Sequence, residues 1–198
     1  TLHNTLFPYT TLFRSGPALA LVAGVCTVLS VLYSHPAVRL KSRPGLDLLT
    51  NMAGYGSATT LAGLLAGRAA HLPAMPAACP TGFDAAAWAA RPSWPVAGGD
   101  VGAQLAAALD GGGLWFVLGF GLLFGSLYPL TQLYQIDSDR RRGDRTLATA
   151  LGRGRSLGVA IGLGLLAVAA LTAGLSARAA GPWRVLPWAA LLAWLGHL

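Results

Sequence analysis

The chain has 198 residues, of which 54% are apolar and 11% are charged, and 26 are glycine. This composition is too apolar for a soluble domain of that length and fits a protein that crosses a membrane several times. The formal net charge is +7, from 14 basic and 7 acidic residues. Because the basic residues lie between apolar runs, they indicate anionic lipid headgroups and phosphorylated substrates as partners rather than nucleic acid.

Both ends of the sequence are expected to be truncated. The chain starts at Thr1 rather than at a methionine and stops at Leu198 inside an apolar run. Residues 1–15 have neither the basic start nor the continuous apolar core of a signal peptide. They resemble translated adapter sequence from environmental assemblies. We therefore predict a non-native leader over 1–15 and a partial membrane domain over 16–198.

Five apolar segments predict transmembrane helices, since a helix that crosses the bilayer needs about 20 apolar residues. They cover residues 17–34, 48–67, 114–134, 157–175 and 183–198. We therefore predict an all-α fold, a polytopic bundle of transmembrane helices. The second segment carries Thr50, Asn51 and Ser57 together with Thr59 and Thr60. Unsatisfied polar groups are costly in hydrocarbon, so one face of this helix should line a cavity or a neighbour.

Glycine spacing and one long connection complete the predicted bundle. Three Gly-x-x-x-Gly steps predict close approach of helix backbones. They are Gly63/Gly67, Gly121/Gly125 and Gly158/Gly162. Residues 68–113, rich in Pro, Ala and Gly, are too long for an ordinary connection. We predict that they form a partial cap over the outer mouth, with a short surface helix over residues 100–110.

Two connections concentrate the basic residues. Arg39, Lys41 and Arg43 lie between the first two apolar segments, and six arginines lie within residues 135–156. Short loops rich in Lys and Arg stay in the cytoplasm. Two spans separate these connections, which places both on the same side of the membrane. The sequence therefore predicts that both face the cytoplasm.

The second basic connection also holds Asp137, Asp139 and Asp144. Carboxylates this close repel one another unless a cation lies between them. Oxygen-rich clusters suit Mg²⁺, which takes one or two carboxylates and completes its shell with water and substrate phosphate. The neighbouring arginines suit the phosphate oxygens. The alternative, from composition alone, is a positive-inside loop whose aspartates only moderate its charge.

Two stretches resemble motifs of the UbiA-type intramembrane prenyltransferases. Residues 135–148, followed by Leu151 and Gly152, are similar to the second aspartate-rich motif of that family. Residues 33–51, with Gly54-Tyr-Gly after them, are similar to the loop between its fourth and fifth helices. The resemblance covers residues 17–198, the later part of a family member.

The resemblance implies a fold and an activity. A family member folds as nine helices around a cavity open to lipid, and the five segments here would supply about five of them. Its activity is Mg²⁺-dependent transfer of a prenyl group from an allylic prenyl diphosphate to an electron-rich acceptor. The acceptor would be aromatic, a carotenoid or otherwise lipophilic. The remaining partners would be membrane lipids, in the bacterial cytoplasmic (inner) membrane.

The resemblance also implies roles for individual residues. Asp137 and Asp139 match carboxylates of the second motif, and Asp144 is a further metal-ligand candidate. The catalytic candidates are Asp137, Asp139 and Lys41. The substrate-binding candidates are Tyr33, Arg39, Lys41, Arg43, Asn51, Tyr134, Gln135 and Arg145. Gln135 departs from the commonest pattern of the family, which has an acid there.

A larger departure is the first aspartate-rich motif, because residues 1–34 contain no Asp or Glu. We attribute this to truncation and expect the isolated chain to lack turnover; observed turnover would overturn that expectation.

Blander interpretations and other functions stay open. Asp47 is expected to favour the start of the second helix, since acids stabilise helix N-termini. Arg140, Arg141 and Arg142 are expected to anchor the membrane surface.

Among functions, the alternative is a transporter or permease domain for a small anionic solute. Transporters place ionisable groups near the bilayer midplane. A purely structural membrane subunit would need neither Asp137 nor Asp139.

Overall fold

The computed structural model describes residues 16–69, 100–178 and 182–196, and every regular element in them is helical. The α-helices are α1 (Pro17–Ser34), α2 (Leu46–Asn51), α3 (Thr59–Ala69), α4 (Val101–Leu109), α5 (Gly113–Arg142), α6 (Leu147–Leu151), α7 (Arg153–Arg178) and α8 (Leu186–Leu195). A π-helix (Met52–Ala58) joins α2 to α3, and 3₁₀ turns occupy Leu40–Ser42 and Pro182–Val185. The predicted all-α bundle is confirmed. The predicted leader over 1–15 lies outside the described residues.

Three helices, α1, α5 and α7, are long and apolar enough to cross a membrane, which indicates a membrane protein. Helix α1 has the bounds of the first predicted span. Helix α5 continues past residue 134 to Arg142. Asp137 and Asp139 therefore lie on the last turns of a long helix rather than in a loop. The most extensive contact between two helices is that of α5 with α7.

The second predicted span, which carries the polar face, is one continuous helical stretch of α2, the π-helix and α3. Within it, the π-helix lies against α5. A β-carbon added to Gly56 would lie 2.5 Å from the Cα of Gly121. Next to this contact, the Ser57 hydroxyl donates to the carbonyl of Val117 at 3.1 Å. Only a residue without a side chain fits between two backbones this close. Gly56 therefore fixes where the π-helix crosses α5.

The Gly-x-x-x-Gly prediction holds for α5 and fails for the other two steps. A β-carbon on Gly125 would lie 2.8 Å from the side chain of Met52, and Gly121 faces Ser57. At the other four glycines, no described residue lies within 4 Å of where a β-carbon would point: Gly63, Gly67, Gly158 and Gly162. The spacing identifies faces that permit close packing but does not say which of them meets a neighbour.

Helix α4 forms within the predicted 100–110 segment. The Asp100 carboxylate caps it by accepting a hydrogen bond from the Ala103 amide at 3.2 Å. Ala108 is fully buried in a small apolar cluster with residues of α1 and α3, among them Leu19 and Leu65. The predicted short helix is thus present and packs on the bundle. The rest of the predicted cap falls largely outside the described residues.

Candidate functional site

The two basic connections meet at one end of the bundle. Nη2 of Arg39 donates to Oδ1 of Asp144 at 3.0 Å. The Ser42 hydroxyl donates to the same oxygen at 3.1 Å. These contacts join residues 105 and 102 positions apart. The sequence predicted Arg39 as a substrate-binding candidate and Asp144 as a metal-ligand candidate. In the structure these two residues are direct partners.

Asp47 organises the same end from inside. It is 0% exposed. Its Oδ1 accepts hydrogen bonds from the amides of Gly45 and Leu48, both at 2.8 Å. Its Oδ2 accepts from Nε2 of Gln132 at 2.5 Å and from the amide of Leu147 at 3.0 Å. Asp47 does lie in the first turn of α2, as predicted, and it also ties α2 to α5 and α6.

Helix α6 is capped by residues of other helices. The first amides of any helix lack intrahelical partners. Here the Leu147 amide donates to Oδ2 of Asp47, and the Ala148 amide donates to Oε1 of Gln132 at 3.2 Å. The Thr146 hydroxyl accepts from the Thr149 amide at 3.4 Å. The segment that follows α5 is therefore fixed to the bundle by buried hydrogen bonds.

A glycine turn at the end of α5 sets the position of Asp144. Gly143 has φ 73°, and its amide donates to the carbonyl of Arg140 at 3.2 Å. The Asp144 amide donates to the carbonyl of Asp139 at 2.9 Å. This pair of bonds is the Schellman motif, in which glycine adopts the left-handed conformation at low cost. The turn brings Asp144 back towards the last turn of α5.

Arg142 joins the acidic residues to one another. Its Nη2 donates to Oδ1 of Asp139 at 2.5 Å, and its Nε donates to Oδ2 of Asp144 at 3.2 Å. Its Nη1 reaches the Ser138 hydroxyl at 2.9 Å. Asp139 is only 4% exposed, and its Oδ2 accepts a long bond of 3.4 Å from the Thr146 hydroxyl. Arg142, which we expected to anchor the membrane surface, thus has three side-chain partners in the structure.

The surroundings of Asp144 favour its charged form. Burial by itself would raise the pKa of this carboxyl group. Hydrogen bonds from Arg142 and Ser42 oppose this effect, as do the positive charges of Arg39 and Arg142. Together they hold the pKa of Asp144 below its ordinary value. Asp144 is therefore an anion at neutral pH.

The described carboxylates do not fit a magnesium centre in this arrangement. Asp137 and Asp139 are two residues apart on a helix, so they do not face each other. Both oxygens of Asp139 and of Asp144 already accept hydrogen bonds. Asp137 is exposed. Its Oδ1 lies 3.6 Å from Nη1 of Arg140, and its Oδ2 lies 3.6 Å from Nη2 of Arg153. Across the described ranges, no three His, Cys, Asp or Glu residues are grouped as metal ligands would be.

A cavity of about 170 Å³ lies between α1 and the segment formed by α2 and the π-helix. Tyr33, Thr50, Asn51 and Tyr55 are among its lining residues. The prediction that a polar face of the second span lines a cavity or a neighbour agrees with both contacts, because Thr50 and Asn51 line this cavity and Ser57 bonds the neighbouring helix α5. The Tyr33 hydroxyl is hydrogen-bonded to that of Tyr128 at 2.8 Å, which fixes its position beside α5.

Asn51 offers an unused acceptor to this cavity. Its Nδ2 donates to the backbone carbonyl of Asp47 at 2.8 Å. Within the described part of the chain, no donor reaches its Oδ1. By contrast, the hydroxyls of Thr50 and Thr59 bond carbonyls of their own helix. Asn51, a lining residue of the cavity, therefore keeps a side-chain oxygen that can accept a hydrogen bond from a ligand.

The remaining predicted site residues lie on the surface at the same end. Lys41 is exposed in the 3₁₀ turn Leu40–Ser42. Arg43, Gln135 and Arg145 are also exposed. Tyr134 is 93% exposed, so its ring does not line the cavity. Gln135 and Asp139 are four residues apart on α5. Only Asp139 is shielded from solvent, because Arg142 and Thr146 donate hydrogen bonds to its carboxylate.

Sequence reasoning missed two side-chain partners of the aspartates at this end. Gln132 and Ser42 were not singled out, although both bind an aspartate. A usable signal was present for Gln132, since it is an uncharged polar residue inside the apolar segment 114–134. Polar groups in such segments are expected to find a partner.

No family model, no curated protein and no solved structure matches the chain. The likeness to intramembrane prenyltransferases therefore rests on the two sequence motifs.

Proposed function

We propose that the chain is part of a membrane-embedded prenyltransferase that uses an allylic prenyl diphosphate and a lipophilic acceptor. One observation carries this proposal: a cavity lined by both polar and apolar residues borders the last turn of α1, just before the turn that contains Arg39 and Lys41. Tyr33 of its lining belongs to the last turn of α1, and Arg39 follows a few residues later in the chain. There, the diphosphate head of the substrate would lie near basic residues, and its long prenyl tail would lie near apolar residues.

The proposed chemistry needs charge stabilisation at two points. The bond between the prenyl carbon and the diphosphate oxygen breaks, and both electrons leave with pyrophosphate. Arg39 and Lys41 stabilise that leaving group by hydrogen bonds that strengthen as its charge develops. The ring of Tyr33 faces the resulting allylic cation, which an aromatic π-system attracts. The acceptor then forms the new carbon–carbon bond and loses a proton.

Magnesium remains a prediction of the sequence resemblance. The described carboxylates are engaged by arginines and hydroxyls, so no step is assigned to a metal here. The same resemblance, with positive-inside counting, supports placement in the bacterial cytoplasmic membrane with the aspartate-rich stretch, residues 135–156, facing the cytoplasm. Arg43 and Arg145, exposed at this end, are further candidates for contact with the diphosphate.

The test is calorimetric binding of geranylgeranyl diphosphate to the purified chain in detergent, compared with geranylgeraniol, which lacks the diphosphate. We expect the diphosphate to bind at least about tenfold more tightly, since hydrogen bonds to charged groups each contribute about 1.5–3 kcal/mol. Lys41→Gln should remove much of that difference. Arg155→Gln is the matched control, because Arg155 is exposed on α7 and forms no ion pair with a described residue.

Turnover is measured separately, in the complete open reading frame that contains this sequence. The sequence resemblance, and not the described geometry, predicts Mg²⁺-dependent release of pyrophosphate that is lost in the Asp137→Ala/Asp139→Ala double variant. Equal binding of geranylgeranyl diphosphate and geranylgeraniol, with no pyrophosphate release, would reject the prenyltransferase. The alternative, a transporter for a small anionic solute, would then be tested by uptake into vesicles.

A further inference from the structure

Three donors from two separate segments converge on the carboxylate of Asp144. They are Nη2 of Arg39 at 3.0 Å, Oγ of Ser42 at 3.1 Å and Nε of Arg142 at 3.2 Å. We propose that Arg39, Ser42 and Arg142 form a binding site for a phosphate group, here called the cradle, which Asp144 occupies as an internal anion. This inference deepens the proposed function and rests on it for the identity of the ligand.

The donors of the cradle suit phosphate at least as well as a carboxylate. Guanidinium groups bind phosphate oxygens in a planar, two-pronged geometry, and a hydroxyl can donate to a third oxygen. A phosphate also carries more negative charge than a carboxylate at neutral pH. It can therefore compete with Asp144 for the same donors.

The cradle arginines are accessible to a ligand, whereas the anion between them is covered. The side chains of Arg39 and Arg142 are 51% and 57% exposed, and that of Asp144 is 19% exposed. A ligand can approach the two guanidinium groups from solvent without opening the bundle. Displacement of Asp144 then requires only that its side chain turn away.

The backbone at Arg39 is an independent sign of a functional position. Arg39 has φ 43° and is the only non-glycine residue with positive φ among those the structure describes. Residues with a side chain adopt this conformation at a cost and cluster at binding sites. Here the Arg39 amide donates to the carbonyl of His35 at 2.8 Å, and the Ser42 amide donates to the carbonyl of Arg39 at 2.9 Å. These bonds hold Arg39 and Ser42 on the same side of the turn.

This role for Asp144 makes a prediction opposite to that of a metal ligand. A metal ligand is needed for binding of diphosphate, so its removal weakens binding. An internal anion competes with phosphate, so its removal strengthens binding. The two roles therefore differ in the sign of the effect of Asp144→Asn when Mg²⁺ is present, and only an internal anion gives the same gain in affinity with and without the metal.

The experiment is calorimetric titration of the purified chain in detergent with inorganic pyrophosphate, once in EDTA and once with Mg²⁺. Loss of one charge-assisted competitor predicts that Asp144→Asn binds at least about fivefold more tightly than the original chain. Asp144→Ala, which removes both oxygens, should change affinity in the same direction. Asp110→Asn is the control, because Asp110 is an exposed carboxylate outside the cradle. It should change affinity less than about twofold.

A second pair of variants tests the donors. Arg39→Gln and Arg142→Gln, each combined with Asp144→Asn, should reverse the gain in affinity. The proposal is overturned if Asp144→Asn leaves affinity unchanged or lowers it. It is also overturned if Asp110→Asn raises affinity equally, since the effect would then be general electrostatics.

Two sources could supply the phosphate, a prenyl diphosphate or a lipid headgroup. Titration of the same variants with short-chain phosphatidic acid distinguishes them. A larger gain for pyrophosphate supports the cradle as a diphosphate site, and a larger gain for phosphatidic acid supports it as a lipid-headgroup site. The titration in EDTA needs neither metal nor turnover. The cradle proposal can therefore be confirmed even if no prenyl transfer is observed, and prenyl transfer can be observed even if the cradle proposal is overturned.

Discussion

Asp47 and Asp144 lie at the same end of the bundle and differ in what holds them. Asp47 is 0% exposed and accepts four hydrogen bonds, three from backbone amides and one from Gln132. Asp144 accepts three side-chain hydrogen bonds, two of them from arginines whose side chains are more than half exposed. No arginine or lysine in the described ranges forms an ion pair with Asp47.

The comparison separates a fixed anion from an exchangeable one. Backbone amides are already ordered by the helices that contain them, so their bonds to Asp47 cost little additional entropy. Arg39 and Arg142 must give up side-chain freedom to hold Asp144, and water competes for their donors. Asp47 therefore stabilises the fold, whereas Asp144 is suited to replacement by a ligand anion.

The largest expected effect comes from removing the fixed anion. Asp47→Ala leaves the Leu147 amide and Nε2 of Gln132 without a partner in the interior. Each unsatisfied buried donor costs about 1–3 kcal/mol, so we expect a loss of about 3 kcal/mol or more in the free energy of unfolding. Equilibrium unfolding in detergent, followed by circular dichroism, measures it. Asp137→Ala, at an exposed site, should change stability by less than about 0.5 kcal/mol; equal losses in the two variants would contradict this account of Asp47.

A smaller loss is expected when the neutral partner of Asp47 is removed. Gln132→Leu keeps the volume but leaves the Ala148 amide unsatisfied and takes one donor from Asp47. We expect a loss of about 1–3 kcal/mol. The same unfolding assay on the Asp47→Ala/Gln132→Leu double variant completes a double-mutant cycle. Contacting residues should show a coupling above about 0.5 kcal/mol, and additive losses would argue against a shared network.

The pH dependence of stability should reveal the exchangeable anion. The pKa of Asp144 is lower in the folded chain than in the unfolded chain. The folded state therefore gains stability from Asp144 above the unfolded pKa and loses it as pH falls through the folded pKa. The thermal midpoints of the original chain and of Asp144→Asn, scanned from neutral pH into acid, should differ most at neutral pH and converge in acid. A constant difference at all pH values would contradict the pairing described here.

The smallest effect is expected at Ser156, a buried polar group with no anion and no partner. Its hydroxyl is 0% exposed and has no hydrogen-bond partner in the part of the chain that the structure describes. Ser156→Ala removes an unsatisfied group, so we expect a gain of up to about 1 kcal/mol. Thr172→Val is the control on the same helix, since the Thr172 hydroxyl donates to the carbonyl of Val168 at 2.7 Å. It should lose stability, and a loss at Ser156 of the same size would indicate a partner.

The same contrast explains what local patterns could not predict about the site. The sequence grouped Asp137, Asp139 and Asp144 because they are close along the chain. On α5 the first two point in different directions, and Gly143 turns the third onto Arg142. The partners that decide the role of Asp47 lie 85 and 100 positions away. No local pattern contains that information.

The sequence by itself determined the helical class, the long apolar helices α1, α5 and α7, and the concentration of charge between them. Apolar runs and loop charges are properties of contiguous residues, so they can be counted along the chain. Only the tertiary structure decided which glycines touch a neighbour, which aspartate is buried and which carboxylate lies between two arginines. Those outcomes depend on how helices far apart in sequence pack, because burial and pairing are set by the neighbours that packing supplies.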